Sequence, residues 1–381
     1  MTRQKKNGDN LSNDEMARYA RHISLKEIGI QGQKKLKASS VICVGTGGLG
    51  SPLLMYLAAA GIGRIGIVDF DVVEESNLQR QLIHSQKRIG ESKANSASKR
   101  IEEINSHCKV DIHEKILTKY NALEILSNYD LVCDCTDNFP SRYLINDACL
   151  MLGKPNIYGS IERFQGQVTV FNLDSKSPSL RDLMPEPPPS ELLPSCQEAG
   201  VIGVLPGIIG LIQATEVIKI ITGNGQTLSG RLLIFDALLM KFREINIQKR
   251  RSNSIPLELI EYPGFCFQEN EKYDEIKNIS AVELKKLIDN NPEDIFLIDV
   301  RDSSEHAINC INGSTLIPLN NLEEISNIKR IQTESYGKKI YVHCKTGKRS
   351  SKAIVKLQSH GIEATNIRGG IEAWNKLIIT S

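Results

Sequence analysis

Apolar and polar residues alternate in blocks along residues 41–69, and this pattern predicts the first elements of the chain. The apolar run at 41–44 predicts a buried parallel strand, because a strand covered on both faces is continuously apolar. A glycine-rich turn at 45–50, an apolar helical pattern at 53–60 and a second apolar run ending in Asp69 follow. Strand, glycine turn, helix, strand and acid in this order predict an α/β fold built on a doubly wound, mostly parallel sheet.

The glycine turn has the spacing of a loop that binds nucleotide phosphates. Glycines let the backbone turn tightly and approach a phosphate, whose charge is favoured at the N-terminus of the next helix. Asp69, which follows the last glycine by 19 residues, is placed to bind ribose hydroxyls. The motif therefore predicts a nucleotide site but leaves NAD, FAD and ATP open. Its residues are Gly45, Gly47, Gly48, Gly50 and Asp69.

Polar residues also follow the ends of the next predicted strands, where sheets of this kind bind ligands. Arg80 and Lys93 are candidates to face a triphosphate, and Asp137 is a candidate ligand of Mg²⁺, which prefers carboxylate and phosphate oxygens. A cation clamp with magnesium stabilises charge at a phosphorus centre, so this combination favours ATP chemistry over hydride transfer. The candidate positions are Ser76, Asn77, Arg80, Lys93, Asp137 and Asn138.

Capping-box spacing marks the start of a helix at two places in the chain. Ser12 with Glu15 predicts a helix through Glu27, and Ser280 with Glu283 predicts the start of a second domain. The polar, patternless stretch 263–277 predicts a linker, and about sixteen flexible residues would span roughly 20–25 Å. We therefore expect domains at 11–262 and 278–381.

Length and charge limit the function classes. With 381 residues the chain is long enough for two domains, and its net charge of +2 gives no reason to expect nucleic acid or a membrane surface as a partner. The longest apolar region, 201–221, contains Gln213, Glu216 and Lys219, which indicates a buried helix rather than a membrane span. The start of the chain lacks the apolar core of a signal peptide, and the nine cysteines include no CxxC pair. These features predict a cytoplasmic protein with free thiols.

Six motifs in order resemble the MoeB/ThiF adenylyltransferase family, which is related to ubiquitin-activating enzymes. They are Arg18-Tyr-Ala-Arg-His-Ile23, the glycine loop, Asp69-Phe-Asp71, Ser76-Asn-Leu-Gln-Arg-Gln81, Gly90-Glu-Ser-Lys93 and Asp134-Cys-Thr-Asp-Asn138. The resemblance covers about residues 11–262 and implies a Rossmann-like sheet. It also implies transfer of AMP from ATP to the C-terminal glycine of a small ubiquitin-like sulfur carrier.

The resemblance also implies roles for individual residues. Arg21 matches an arginine that family members insert into the partner subunit's site, which implies a homodimer. Cys196 matches a cysteine that takes part in sulfur or acyl transfer in some members, but it could equally be inert and buried, and both readings stay open. The positions that match the ATP site are Gly48, Asp69, Asn77, Arg80, Lys93, Asp137 and Asn138.

Two CxxC pairs that bind a structural zinc in this family have no counterpart in the sequence. The corresponding stretches, 178–182 and 249–256, contain no cysteine. We therefore predict that the protein holds no zinc, and one tightly bound zinc per purified chain would refute this. Of the other cysteines, Cys133, Cys135 and Cys149 are predicted to belong to the core.

A second candidate centre follows the predicted strand 339–343. That strand delivers Cys344 into a loop that contains Lys345, Lys348 and Arg349 and precedes a helix predicted at 350–360. A cysteine at a helix N-terminus among cations favours the thiolate, and the loop amides can cradle an anion. A cysteine phosphatase needs five residues between Cys and Arg, but here four intervene, and this tighter loop fits a persulfide sulfur.

The C-terminal part resembles a rhodanese domain, a smaller α/β unit, over about residues 278–381. The motifs are Asp299-Val-Arg301, Glu305, the Cys344 loop and Gly369-Gly-Ile-Glu-Ala-Trp374. The resemblance implies that Cys344 carries a persulfide, which the loop amides and Arg349 stabilise. Asp299 and Arg301 are interpreted as structural, and Cys310 as inert.

Together the two centres predict an adenylyltransferase with sulfurtransferase activity. Attack of the Cys344 persulfide on an acyl-adenylate and later reduction would give a thiocarboxylate on a MoaD- or ThiS-like carrier. The predicted pathway is molybdenum cofactor synthesis, with thiamin synthesis or tRNA thiolation as alternatives, and the sulfur donor would be a cysteine desulfurase or thiosulfate. The rival functions are a dehydrogenase or RNA-base dehydratase on the same sheet, a cysteine phosphatase, and a binding scaffold without activity.

Overall fold

The computed structural model describes residues 10–187, 200–250, 256–260 and 276–380, with only the backbone described at 348, 379 and 380. The chain divides at residues 265/266 into two compact units. The predicted linker lies outside the described residues except for 276 and 277, so the boundaries 11–262 and 278–381 remain a prediction.

The first unit is an eight-stranded sheet with helices packed on it. Its strands are β1 (Ser40–Val44), β2 (Arg64–Val68), β3 (Lys109–His113), β4 (Leu131–Asp134), β5 (Asn156–Glu162), β6 (Gln165–Phe171), β7 (Arg231–Asp236) and β8 (Lys241–Asn246). Its helices are α1 (Asn13–Arg18), α2 (Ala20–Ile23), α3 (Gly29–Ala38), α4 (Gly50–Ala60), α5 (Lys93–Ile104), α6 (Ala122–Ser127), α7 (Phe139–Leu152), α8 (Leu180–Leu183) and α9 (Val204–Thr222).

The strand order is β3-β2-β1-β4-β5-β6-β7-β8. Strands β3 to β5 are parallel to one another, and β6, β7 and β8 continue the sheet antiparallel. Strand β1 lies between β2 and β4, and all of its residues are buried. Because parallel strands end at one edge, this order brings the loops after β1, β2 and β4 together. The α/β class and the mostly parallel sheet are confirmed.

The predicted N-terminal helix is shorter than expected. The capping box of Ser12 and Glu15 is present, but α1 ends at Arg18 and α2 ends at Ile23, so a continuous helix through Glu27 was wrong. Tyr19, between the two helices, has φ −95° and ψ 15°. Its ring is buried and its hydroxyl accepts a hydrogen bond from Asn105 Nδ2 at 2.8 Å. Burial of this one aromatic side chain bends the chain where the local pattern favours a helix.

Helix α9 is the longest apolar helix of the described residues. By length and composition its 19 residues could cross a membrane. However, Gln213 and Glu216 are buried, and the Gln213 amide donates to the carbonyls of Asp134 and Ile157 at 3.0 and 3.1 Å. Hydrogen bonds to the strand carbonyls are those of a core helix, as the polar interruptions predicted.

The second unit is a five-stranded parallel sheet in the order β11-β10-β12-β13-β9. Its elements are β9 (Asn278–Ile279), α10 (Ala281–Asn290), β10 (Ile295–Asp299), α11 (Ser303–Ile308), β11 (Ser314–Leu316), α12 (Ile325–Glu334), β12 (Lys339–His343), α13 (Lys348–Ser359), β13 (Thr365–Ile367) and α14 (Gly370–Thr380). The capping box of Ser280 and Glu283 is present, as predicted.

An ion pair in the core of the second unit explains the Asp-Val-Arg motif. The Asp299 carboxylate is fully buried and accepts hydrogen bonds from Arg301 Nη2 at 2.6 Å and His306 Nδ1 at 2.9 Å. Arg301 is 2% exposed, and its Nη2 also donates to the Asn309 carbonyl at 2.7 Å. These contacts tie β10 to α11 and support the prediction that both residues are structural.

Asp299→Asn is expected to destabilise the second unit by about 3–5 kcal/mol, because it leaves the Arg301 charge buried without its carboxylate. Urea unfolding of the full chain measures this. The matched control is Lys285→Met, which breaks an exposed pair with Asp289 and should change the free energy of unfolding by less than about 0.5 kcal/mol. If both variants unfold at the same urea concentration, the Asp299 pair does not hold the unit together.

Candidate functional site

A cavity opens at the edge where β1, β2 and β4 end, and most of the predicted nucleotide-site residues line it. These are Gly45, Gly47, Gly48, Asp69, Asn77, Arg80, Lys93, Asp137 and Asn138. Residues that are distant in sequence therefore meet in one place, as the strand-end rule predicts.

Two predicted positions are absent from the lining of this cavity. Gly50 starts α4, where an added Cβ would lie 2.0 Å from the Gly45 carbonyl oxygen, so this glycine allows close packing of loop and helix. The exposed Ser76 points its hydroxyl at Glu74, and its carbonyl accepts from Arg80 Nη1 at 3.1 Å. Ser76 therefore holds Arg80 through its backbone carbonyl, and a direct nucleotide contact of its side chain stays a prediction.

The glycine loop has a conformation that other residues would not tolerate. Gly45 has φ +93°, and a Cβ there would lie 2.8 Å from the carbonyl oxygen of Cys135. A Cβ on Gly48 would lie 3.0 Å from a side-chain carbon of Pro206. The glycines thus let the loop pass close to its neighbours.

Asp69 fixes the glycine loop in addition to lining the cavity. One carboxylate oxygen accepts from both the backbone N–H and the hydroxyl of Thr46, each at 2.7 Å. The other accepts from the N–H of Asp71 at 3.0 Å. The acid at the end of β2 therefore anchors the turn after β1, and its contact with a ribose remains a prediction.

The cations of the cavity are positioned by neighbouring oxygens. Lys93, at the first position of α5, donates to Asp71 Oδ2 at 2.9 Å. The Lys93 side chain is 8% exposed, whereas that of Asp71 is 51% exposed. Lys93 and Arg80 therefore bring positive charge to the cavity, where a polyphosphate would be favoured.

Two further cationic residues line the cavity and were missed from the sequence. Arg142, buried in α7, donates to the Thr136 carbonyl, the Ser160 hydroxyl and the Tyr158 hydroxyl at 3.1–3.2 Å. Nothing in the local pattern distinguishes it from a surface arginine on a helix. Lys115 follows the end of β3, and the strand-end rule could have found it.

His84 contacts the backbone of the glycine loop and was not identified as a site residue from the sequence. Its Nε2 lies 3.2 Å from the Thr46 carbonyl and its Nδ1 lies 2.9 Å from Ser96 Oγ. A carbonyl only accepts, so Nε2 carries the proton and Nδ1 accepts from the serine. Burial, aided by Lys93, lowers the pKa of His84 to about 4. Burial likewise lowers the pKa of His343, in the second unit, to about 4.

Both units are therefore expected to lose stability on mild acidification. A histidine whose pKa falls from about 6.5 in the unfolded chain to about 4 in the folded chain stabilises fully above pH 6.5, and this stability is lost as the pH falls towards 4. Between about pH 7 and about pH 5 each histidine should cost about 2 kcal/mol. Unfolding curves at both pH values measure this loss. His84→Gln should reduce it for the first unit alone, and an unchanged loss in that variant would contradict the assignment.

The core thiols behave as predicted. Cys133, Cys135 and Cys149 are buried, and burial raises the pKa of each. Cys310 is exposed and unpaired with another cysteine. Cys196 lies outside the described residues, so both of its readings remain predictions.

Hydrogen bonds join the two stretches, 178–182 and 249–256, that correspond to the zinc-binding CxxC pairs implied by the family resemblance. Asp182 accepts from Arg250 N at 2.7 Å and from Ser179 N at 2.7 Å. Within 10–187, 200–250, 256–260 and 276–380, no group of three or more His, Cys, Asp or Glu residues is arranged to hold a metal. Residues 251–255 of the second stretch are not described, and the absence of zinc stays a prediction.

The loop after β12 surrounds the sulfur of Cys344. Sγ accepts a hydrogen bond from Gly347 N at 3.1 Å and lies 3.4 Å from Ser350 Oγ. Gly347 has φ +99°, which turns its N–H towards the sulfur at the start of α13. The helix begins at Lys348, two residues before the predicted start. An amide donor at the sulfur fits the predicted anion cradle.

Two cations near Cys344, Arg349 and Lys345, are paired with carboxylates. Arg349 donates to the two Glu305 oxygens at 2.6 and 2.8 Å, and this pair raises the pKa of Arg349. Lys345 Nζ lies 3.7 Å from Glu372. Arg349 therefore fixes α13 to α11, and its action on a persulfide remains a prediction.

A cation-lined cavity at a sheet edge in one unit and a cysteine loop at a helix N-terminus in the other are the arrangement of a two-centre, group-transferring α/β enzyme. The ThiF family model matches residues 19–257, and the rhodanese-like domain model matches residues 280–377. The chain belongs to the ThiF family and carries a C-terminal rhodanese-like domain. It is an adenylyltransferase and sulfurtransferase, as the sequence predicted.

Relatives whose names give both activities match almost the whole chain. A protein of Mycobacterium tuberculosis (strain CDC 1551 / Oshkosh), "Probable adenylyltransferase/sulfurtransferase MoeZ", is 44% identical over 96% of this chain and 94% of its own length. "Adenylyltransferase and sulfurtransferase MOCS3" of Drosophila grimshawi is 40% identical over 98% of this chain and 87% of its own.

Solved structures of E. coli MccB share the fold of the first unit. The complex with ATP matches with a TM-score of 0.55 and 21% identity, covering 66% of this chain and 76% of MccB. The complex with MccA-N7isoASN matches with a TM-score of 0.57 and 20% identity, covering 65% and 75%.

Proposed function

We propose that the protein adenylates the C-terminal glycine of a small ubiquitin-like sulfur carrier with ATP and converts it into a thiocarboxylate with sulfur from Cys344. The proposal rests on one observation above all: a cation-lined glycine-loop cavity and a cysteine held by a backbone amide occur in one chain. The pathway we propose is molybdenum cofactor synthesis, because MoeB-like proteins often carry the appended domain.

In the first reaction the carrier carboxylate attacks the α-phosphorus of ATP, and pyrophosphate leaves. The glycine loop would lie against the phosphates, and Arg80 and Lys93 would stabilise the charge that develops on them. Asp137 lines the same cavity and offers a carboxylate to Mg²⁺, so the residues present fit this ion. When bound with ATP, magnesium neutralises phosphate charge.

In the second reaction the outer sulfur of a Cys344 persulfide attacks the acyl carbon, and AMP leaves with the electron pair of the C–O bond. This gives an acyl disulfide between the carrier and Cys344. Two electrons from a thiol reductant then cleave the disulfide, releasing the thiocarboxylate and returning Cys344 to the thiolate. Gly347 N, which donates to Sγ, would stabilise the anionic sulfur at both ends of this sequence.

The decisive experiment incubates the full chain with candidate carriers, ATP, Mg²⁺ and either thiosulfate or a cysteine desulfurase with cysteine. Mass spectrometry of the carrier should show a gain of roughly 16 Da from exchange of oxygen for sulfur. Carriers of molybdopterin, thiamin and tRNA-thiolation type in parallel identify the pathway. Formation of neither an adenylate nor a thiocarboxylate on any carrier would overturn the proposal.

A homodimer in which Arg21 enters the partner's site makes a separate prediction. Arg21 is exposed on α2. Arg21→Ala and Asp137→Ala should each lose ATP–pyrophosphate exchange, but mixed dimers of the two variants contain one intact site. After the subunits of an equal mixture have redistributed, about half of the dimers are mixed, and each of these has one intact site of two. The mixture should therefore recover roughly a quarter of the wild-type rate of ATP–pyrophosphate exchange. If the mixture stays inactive although mixed dimers form, Arg21 serves its own subunit or none.

A further inference from the structure

The hydroxyl of Ser350 is a polar group at the sulfur centre to which the sequence assigned no role. Ser350 lies in the first turn of α13 and is fully buried, and its Oγ is 3.4 Å from Cys344 Sγ. Cys344 is itself 1% exposed. In this dry environment a hydrogen bond to the sulfur is worth more than it would be in water.

Two linked amides, the exposed Asn278 and the buried Asn366, fix the direction of the hydrogen bonds that reach Ser350. Asn278 Nδ2 donates to the Ile276 carbonyl at 2.7 Å, which leaves Asn278 Oδ1 as an acceptor. Asn366 Nδ2 donates to that oxygen at 2.8 Å, and Asn366 Oδ1 therefore faces Ser350 Oγ at 2.7 Å. Because the Ile276 carbonyl can only accept, neither amide can turn without losing a bond.

The single proton of Ser350 has three acceptors within reach. They are Asn366 Oδ1 at 2.7 Å, the Gly347 carbonyl at 3.1 Å and Cys344 Sγ at 3.4 Å. A neutral thiol is a weak acceptor, so the proton then rests on Asn366. A thiolate is a strong acceptor, and a rotation about the Ser350 Cβ–Oγ bond carries the proton to it.

We propose that Ser350 donates a hydrogen bond to Cys344 Sγ whenever this sulfur carries negative charge, and that Asn366 accepts the same proton when it does not. Ser350 touches the reacting atom and is a catalytic residue of sulfur transfer; Asn366 is a positioning residue. The proposal rests on the proposed role of Cys344 as the sulfur carrier.

Negative charge is on Sγ at both ends of a sulfur-transfer cycle. With thiosulfate, the thiolate attacks the outer sulfur, a new S–S bond forms, and sulfite leaves with the electron pair of the old one. When cyanide then attacks the outer sulfur, thiocyanate leaves and the S–S electron pair returns to Sγ. Ser350 therefore stabilises Sγ when it attacks and when it leaves, while the outer sulfur carries the charge in between.

Other charged or titratable groups surround the sulfur from each neighbouring element, and they are the same in every variant used below. Among the described side chains they are His343 before it, Lys345 in its loop, Arg349 with its partner Glu305, Asp299 on β10, and Glu372 on α14.

The test uses the full chain and measures the rate at which iodoacetamide alkylates Cys344 as a function of pH. Mass spectrometry follows the tryptic peptide 340–345, which separates this thiol from the other cysteines. Ser350→Ala should move the midpoint of the rate profile up by about one pH unit and slow thiosulfate–cyanide transfer near neutral pH roughly tenfold. Ser351→Ala is the matched control, because Ser351 Oγ donates to the Gly347 carbonyl at 3.0 Å and should leave both readouts at wild-type values.

Asn366→Ala gives an independent result of opposite sign. Without its preferred acceptor the Ser350 proton is available to Sγ, so the alkylation midpoint should fall below that of the wild type. Thermal unfolding shows whether each variant is folded. If Ser350→Ala does not fold, the alkylation midpoint of Asn366→Ala tests the proposal by itself.

Two results separate this inference from the proposed function. A wild-type midpoint in folded Ser350→Ala, or an upward shift in folded Asn366→Ala, overturns the inference while sulfur transfer itself persists. A wild-type protein that transfers no sulfur overturns the role of Cys344 instead, and the alkylation profile still reports the hydrogen bond.

Discussion

Cys344→Ala is expected to abolish sulfur transfer to the carrier and leave ATP–pyrophosphate exchange at the wild-type rate. The sulfur is bound covalently at this position alone in the proposed mechanism, so its loss should lower the transfer rate by roughly a thousandfold or more. Exchange needs the cavity at the ends of β1, β2 and β4, and the described residues that line it belong to the first unit. Mass spectrometry measures the thiocarboxylate formed on the carrier, and the incorporation of labelled pyrophosphate into ATP measures the exchange reaction.

The control for this variant is Cys310→Ala. Cys310 is an exposed thiol in the same unit, so its removal tests whether any accessible sulfur suffices. We expect Cys310→Ala to retain both activities. Loss of exchange in Cys344→Ala would contradict the division of labour, and normal thiocarboxylate formation would remove Cys344 from the mechanism.

Lys93→Ala is expected to have the reverse effect. Its ammonium group lines the cavity beside Asp71, where removal should lower kcat/KM for ATP–pyrophosphate exchange roughly 100- to 1000-fold. Thiosulfate–cyanide transfer by the same protein should be unchanged, because that reaction needs no nucleotide.

Lys99→Ala is the matched control, since Lys99 lies in the same helix, is 57% exposed and pairs with Glu91 at 2.9 Å. It should exchange pyrophosphate like the wild type. If Lys93→Ala and Lys99→Ala behave alike, the charge that lines the cavity does not act on the phosphates.

The elements around the first centre could be predicted because the local sequence pattern and the packing of the folded chain favour the same structure there. Apolar runs become β1 and β2, and the glycine turn falls where added side chains would collide with Gly45 O and Cys135 O. Polar residues just after strand ends reach one edge because parallel strands share it.

The failures have the opposite cause, namely contacts between segments distant in sequence. Tyr19 bends the N-terminal helix because its ring is buried and bonded to Asn105, 86 residues later. Arg142, His84 and Ser350 sit in helices or turns whose local sequence carries no sign of the sites they approach. Only the assembled sheet shows that His84 reaches the Thr46 carbonyl, or that Asn366 reaches Ser350.

The pairing of its first strand with its last strand gives the second unit a particular independence. Its first strand, β9, pairs in parallel with its last strand, β13, through Asn278 and Asn366. The chain thus enters and completes this sheet at neighbouring positions, which is the arrangement that tolerates transplantation between host proteins. A sulfur-transfer domain whose first and last strands are neighbours can be gained, lost or exchanged by gene fusion without a change in the sheet of the adenylating unit.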